Sequence, residues 1–204
     1  GAVNLVPTKT LNYYNQNAQS FSDSTLNVDM SALYAEFLPL IPKHGHILDA
    51  GCGSARDAMY FKQQDFTVSA FDASSELAKL ASNYLQQAVE IKTFQQLNCT
   101  NMYDGIWCCA SLLHVPKNEL PEVFLKLQNA LKPKGVLYVS FKYGTQERVH
   151  NGREFTDLNK DGLTALIAHH TELKILKQWQ TVDQRPERES EVWLNALIKA
   201  VPVL

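Results

Sequence analysis

The sequence predicts an α/β fold: a mostly parallel sheet covered by helices on both faces, with an antiparallel strand pair at its C-terminal end. Three observations lead there. Short apolar runs alternate with amphipathic helical stretches, the pattern of strands joined by crossover helices. The apolar runs are nearly free of polar residues, as strands are when helices cover both their faces. The last two runs are joined by the short charged connection DQRPERESE, which suits neighbouring strands that pair antiparallel.

In chain order, residues 8–23 (TKTLNYYNQNAQSFSD) are polar and aromatic and are expected to hold a short helix. MSALYAEFLPLI spaces Leu33, Phe37, Leu40 and Ile41 as one face of a second helix, ended by Pro42 and Gly45. Strands are then expected at 46–49, 67–71, 89–94, 105–110 and 136–141. DAMYFKQQ, SELAKLASNYLQQA and ELPEVFLKLQNALK follow the first, second and fourth of these as helices. In the second helix Leu77, Leu80, Ala81 and Leu85 share a face, and in the third Val123, Leu127 and Leu131 do. KYGTQERVHNGREFTD reads as a polar loop, leading to a helix near 160–169 and to strands at 173–179 and 192–200.

Composition narrows the function. A length of 204 residues suits one domain with a single core. A formal net charge of −2 gives no basic excess for nucleic acid. No apolar run approaches the roughly 20 residues needed to cross a bilayer. With no basic, apolar N-terminal stretch there is no sign of a signal peptide, and the chain is expected to be cytoplasmic, as a monomer or homodimer. Cys52, Cys99, Cys108 and Cys109 lack the paired spacing of a zinc site, so no metal is expected and the thiols are read as free and buried. Cys108 and Cys109, adjacent in a strand, point to opposite faces.

The chemistry concentrates after the first strand, in HILDAGCGSARD. Ligands of open parallel sheets bind at the carboxyl ends of strands. Glycines let the chain turn sharply and let a ligand sit against bare backbone, and the following helix offers unpaired N–H groups at a positive end. A dinucleotide site wants G-x-G-x-x-G/A, but Arg56 stands at the third position. Asp49, two residues before Gly51, would also repel a pyrophosphate. A ligand carrying a cation explains that acid better, and S-adenosylmethionine carries an ammonium and a sulfonium.

DAGCGSARD resembles the glycine-rich first motif of class I S-adenosylmethionine-dependent methyltransferases. Ala55 stands where the family commonly has a third glycine, a small departure if that residue avoids positive φ. SAFDAS, YDGIWCCASLLHV and LKPKGVLYVSF resemble later parts of the same family, and the likeness extends over roughly residues 10–200. It looks closest to the small-molecule branch of tellurite-resistance-type methyltransferases, although that name does not establish tellurite as the acceptor. The resemblance implies a Rossmann-like three-layer sandwich with a seven-stranded sheet, residues 1–40 forming a helical cap and 44–204 the catalytic core.

The same resemblance implies the site. Asp49 would hold the ammonium, Ala50, Gly51 and Gly53 would line the methionine part, and Arg56 would meet the carboxylate. Asp72, at the end of the second strand, would bind the ribose, and Ala73 would touch adenine. Phe94 and Gln95 replace the usual acid at the adenine edge. Ala110 and Ser111 would lie beneath the methyl donor, and Tyr14 would cover it. His114 is the candidate base, with a buried, satisfied histidine as its rival. Arg148, Arg153, Arg185 and Arg188 suit an anionic acceptor; Glu147, Glu154, Glu187 and Glu189 beside them suit a solvated face instead. Trp179 and Trp193 are expected to pack the sheet. Three competitors stand beside a small-molecule methyltransferase: an NAD-dependent oxidoreductase, a module that binds S-adenosylmethionine without turnover, and an RNA methyltransferase. The last is weakened by the acidic balance and by A-S-L-L where an N-P-P-Y-like tetrapeptide would stand.

Overall fold

A computed structural model of the chain describes residues 8–202 apart from Pro186 and Glu189. The N-terminal segment forms two helices, α1 (Lys9–Gln16) and α2 (Ala18–Thr25), broken at Asn17, where one short helix was expected. α3 (Ser31–Phe37) runs into a 3-10 turn at Leu38–Leu40, where Pro39 withholds a backbone donor. There follow β1 (His46–Ala50), α4 (Arg56–Gln63), β2 (Thr67–Asp72), α5 (Ser75–Leu85), β3 (Glu90–Ile91), β4 (Tyr103–Cys108), α6 (Leu120–Ala130) and β5 (Leu131–Lys142). Next come β6 (Glu147–His150), β7 (Arg153–Thr156), α7 (Lys160–Ala168), β8 (Leu173–Val182) and β9 (Val192–Ala200).

Seven strands form one sheet in the order β3-β2-β1-β4-β5-β9-β8, parallel through β5 and antiparallel across β5–β9 and β8–β9. This is the expected Rossmann-like architecture. Alternation along each strand divides the core. Ile47, Trp107 and Tyr138 face one side, packed with Phe37 of α3 and Phe61 of α4. Leu48, Ile106 and Leu137 face the other, with Phe124 of α6 and Leu163 of α7. Cys108 joins the second cluster and Cys109 packs against the first, so the two thiols do point to opposite faces. Between α4, α5 and β2 the contact is built from small residues, Ala58, Ala70, Ala78 and Ala81.

Three expectations are corrected. β3 has only two residues, and Phe94–Gln96 forms a 3-10 turn instead of continuing the strand. β4 ends at Cys108, which leaves Cys109 and Ala110 in the following loop. The polar stretch after β5 is not merely a loop: β6 and β7 pair as an antiparallel hairpin around Asn151-Gly152. Both turn residues have positive φ (51° and 77°), as a two-residue Asn-Gly hairpin turn requires.

Candidate active site

β2 and β3 lie to one side of β1, while β4 and β5 lie to the other. Loops leaving β1 and β4 therefore diverge, and a crevice opens beyond their carboxyl ends. Two cavities meet there, one of about 410 Å³ over β1, β2 and β3 and one of about 250 Å³ over β4, β5 and β9. Tyr14, Phe21, Gly51, Gly53, Ala110 and His114 line both.

The turn after β1 is held against the sheet by N–H groups of Gly51 and Cys52, each 2.9 Å from the Phe71 carbonyl. Gly51 (φ 72°) has no room for a side chain, since a Cβ there would lie 2.5 Å from Ser111 Cβ. Ala55 also adopts positive φ, 66°, which corrects the expectation that it avoids this region. An L-residue in that conformation costs about 1–2 kcal/mol. The fully buried Ala55 methyl, packed among the alanines of α4, α5 and β2, offsets part of it.

Three aspartates surround this turn, and their environments differ. Asp49 is 2% exposed and accepts the Ala58 N–H at 3.1 Å, in the first turn of α4. Burial and the neighbouring Asp57 push its pKa well up. Asp72 accepts from Gly53 N–H at 2.8 Å and Ser74 N–H at 2.9 Å, and burial raises its pKa despite those bonds. Among the described residues neither carboxylate is in an ion pair. Asp57 is the opposite case. Burial opposes its charge, but the forked Arg56 guanidinium (2.9 and 3.1 Å), the Trp107 N–H (2.8 Å) and the Tyr34 hydroxyl together hold its pKa down. Arg56 also reaches the Thr25 carbonyl at 3.1 Å, tying the end of α2 to the start of α4.

Over the meeting point of the cavities runs a chain of hydrogen bonds. His114 Nδ1 lies 2.7 Å from the Glu154 carbonyl, which only accepts, so Nδ1 carries the proton. Nε2 is then the acceptor, and the Tyr14 hydroxyl donates to it at 2.8 Å. Arg153 donates to the Tyr14 oxygen at 3.4 Å. Burial lowers the His114 pKa to about 4, and burial raises that of Tyr14, so both are neutral at pH 7. The Glu154 N–H donates to Thr10 Oγ1 at 2.8 Å, a second tie between α1 and the hairpin.

Most residues expected at the cofactor come together. Asp72, Ala73, Phe94, Gln95 and Ser111 line the larger cavity, Asp49 and Arg56 the smaller, and Tyr14, Gly51, Gly53 and Ala110 both. Ala50 is the exception: it is fully buried, and its carbonyl accepts the Ser111 hydroxyl at 2.8 Å instead of facing either cavity. Of the four arginines, Arg153, Arg185 and Arg188 line the smaller cavity. Arg148 does not; its guanidinium is forked onto Asp157 at 2.9 and 3.1 Å. Arg185 lines the cavity but is similarly forked onto Asp183, 3.0 and 2.8 Å away, and those bonds hold Asp183 down to about 2 against its burial. Glu189 lies outside the described residues.

The sequence reading missed several lining residues. Tyr138, Ser140 and Asn195 form a polar floor: Tyr138 O–H donates to Asn195 at 2.5 Å, and Ser140 Oγ accepts the Ala110 N–H at 2.7 Å. Lys142 and Phe155 line the same cavity, as does Trp193, which donates to Asp183 at 3.0 Å and so does more than pack the sheet. Trp179 does pack the core, against the Tyr138 cluster. Glu119, 3.4 Å from Gln95, puts an acid in the larger cavity although none follows β3 in sequence. Only Asn151-Gly152, by announcing the hairpin, offered a signal for the Phe155 wall.

A parallel sheet with a left-handed glycine turn after β1, an acid ending β2 and a crevice at the strand-order reversal defines a Rossmann-like nucleotide-binding domain of the methyltransferase type. Residues 22–181 match the family described as methyltransferase domain, and the chain belongs to that family. It is 29% identical over 132 residues to YqeM of Bacillus subtilis strain 168, named as a methyltransferase, covering 59% of this chain and 52% of that protein. It is 32% identical over 99 residues to a ubiquinone biosynthesis O-methyltransferase of Rickettsia akari, covering 46% of this chain and 39% of that protein. The chain thus spans about half or less of the length of these relatives. Among solved structures, the Burkholderia thailandensis 1,6-didemethyltoxoflavin-N1-methyltransferase, determined with S-adenosylhomocysteine bound, superposes with a TM-score of 0.74 at 20% identity, over 94% of this chain and 85% of that one. At that identity the likeness establishes the fold. Among the described residues no helix is long and apolar enough to cross a membrane.

Proposed function

We propose that this chain is an S-adenosylmethionine-dependent methyltransferase that methylates a small acceptor carrying an anionic group. The observation that carries the cofactor is the pair Asp49 and Asp72: two buried carboxylates at the ends of adjacent strands, pushed toward neutrality by burial and facing the cavities. A ligand bringing an ammonium to one and hydroxyl donors to the other relieves both, whereas a pyrophosphate would add negative charge beside them. Gly51 and Gly53 line both cavities, and their lack of side chains lets Ser111 and Phe21 close around the turn.

Asp49 would hold the ammonium and Asp72 the ribose hydroxyls, while Phe94, Gln95 and Glu119 would surround the base. Bound there, S-adenosylmethionine supplies an electrophilic methyl that a nucleophile displaces in line. The chain's own task is then alignment, and positioning of this kind supplies on the order of 7–11 kcal/mol. His114, neutral and already accepting from Tyr14, is a weak base in this closed arrangement. The role the geometry supports for it is to orient the Tyr14 hydroxyl over the meeting of the cavities. An acceptor that arrives as an anion needs no stronger base, and the cations of the smaller cavity suit it. The narrower likeness to tellurite-resistance-type enzymes names the same branch without fixing the acceptor.

Calorimetry with S-adenosylhomocysteine and with NADH is the test. Micromolar binding of the first and none of the second is expected; the reverse would mark a dinucleotide enzyme. Formation of S-adenosylhomocysteine from S-adenosylmethionine with a panel of small organic acids separates a catalyst from a binding module.

A further inference from the structure

We propose that Lys142 and Arg153 form the acceptor-anchoring pair, and that the group they take is the carboxylate of a small planar acid lying against Phe155 and Trp193. The inference rests on the methyltransferase reading above and names the acceptor's chemical class.

The cations near the smaller cavity are not equivalent. Arg148 and Arg185 spend their forks on Asp157 and Asp183. Arg188 is 43% exposed at its side chain and sits 4.0 Å from Glu191, a rim residue. Lys142 and Arg153 differ from all three. Lys142 leaves the end of β5 with its side chain 15% exposed, and among the described residues its one ion pair, to Glu191, is 3.8 Å long, beyond hydrogen-bond distance. Glu191 is itself shared, 3.7 Å from Arg185. Arg153 keeps a buried Nε with no hydrogen-bond partner. A buried donor left unpaired is costly, and a cation whose ion pair is too long for a hydrogen bond gains little from it, so both groups are poorly served by the fold alone.

Their placement gives them a common target. The Lys142 ammonium lies 4.8 Å and the Arg153 guanidinium 5.2 Å from the centre of the same Phe155 ring. Trp193, the cross-strand partner of Lys142, brings a second ring 5.8 Å from the ammonium. A lysine whose only task was stability would do better as methionine here: its stem already runs past apolar rings and its charge is weakly compensated. Retained at a cavity wall beside an unpartnered arginine Nε, the charge serves a ligand. Two cations held over one ring, beside a third that is already forked onto Asp157, suit a carboxylate, and the aromatic walls suit a flat body attached to it.

The test uses benzoate and benzamide, equal in shape and different in charge, titrated into the protein saturated with S-adenosylhomocysteine and followed by ligand-detected NMR. Benzoate is expected to bind at least tenfold tighter than benzamide. Lys142→Met is expected to erase that preference while leaving the S-adenosylhomocysteine Kd within twofold and Tm unchanged or raised; Lys142→Arg is expected to keep it. Equal binding of the two probes, binding of neither, or a preference that survives Lys142→Met overturns the proposal. So does a fall in Tm with weakened cofactor binding in both Lys142→Met and Lys142→Gln, which would make Lys142 structural. Failure of the wild-type protein to bind S-adenosylhomocysteine at all would instead overturn the methyltransferase reading.

Discussion

Two parts of the crevice are built by different means. Around the ends of β1 and β2 the framework is backbone: a glycine turn bonded to Phe71, with the Asp49 and Asp72 carboxylates gripping the N–H groups of Gly53, Ala58 and Ser74. The walls over β4, β5 and β9 are made by side chains, several from the β6–β7 hairpin and the β8–β9 connection, segments inserted beside the sheet. One part is thus fixed by the strand ends, while the other is hung on loops that are free to change length and residue.

The sharpest way to break that contrast is at the hub that fixes the first region. Asp57→Ala leaves Arg56 buried without its counter-charge, with only the Thr25 carbonyl of its present partners, and strips Tyr34 and Trp107 of their acceptor. It is expected to cost about 3–5 kcal/mol in urea unfolding; a loss below about 1 kcal/mol would deny Asp57 this role. Next in size is Asp72→Ala, expected to weaken S-adenosylhomocysteine binding about 100-fold, near 3 kcal/mol for two bonds to a charged group. His114→Ala should weaken it less than about tenfold, since His114 acts through Tyr14. Equal losses by calorimetry would erase the division between the two sides.

Protonation separates the regions more gently. The folded pKa of His114 is about 4 against an ordinary 6.5. Between those values the unfolded chain binds a proton that the folded chain refuses. Stability is therefore full above 6.5 and falls as pH drops through this window, by about 1.4 kcal/mol per pH unit. Subtracting the unfolding curves of His114→Gln from those of the wild type should isolate that slope; a difference flat with pH would show that His114 is not held neutral. The smallest effect is expected at Ala55→Gly. Relief of the left-handed strain is partly cancelled by lost packing, so a gain of about 1 kcal/mol or less is expected. A loss would mean that the buried methyl outweighs the strain.

What could be read in advance follows the same line. Asp49, Gly51, Gly53 and Asp72 were legible because backbone-built sites need fixed residue types at fixed spacing along one or two adjacent strands. Lys142, Phe155, Trp193 and Asn195 were not. They come from β5, β7 and β9, and only the antiparallel register that sets Lys142 opposite Trp193 brings them into one cavity. The arginines show why charge alone misleads. Arg148, Arg153 and Arg185 look alike in sequence, but Asp157 and Asp183 take the first and third while the second stays underused. β3 was over-read because an apolar run does not reveal where pairing stops, and the hairpin was under-read because charged residues hid its Asn-Gly turn.

The clasp that ties α1 to the hairpin and to the turn after β4 joins Thr10 to Glu154, 144 positions apart, and Tyr14 to His114, 100 apart, yet none of its bonds belongs to the seven-stranded sheet. Beyond its own turns, the N-terminal helix is tied down through side chains, among them Asn15, which accepts the Ser74 hydroxyl at 2.6 Å. Its amides should therefore exchange with deuterium well before those of β1 and β4. Because Tyr14 of that helix lines both cavities, loosening of α1 alone is expected to open them to solvent.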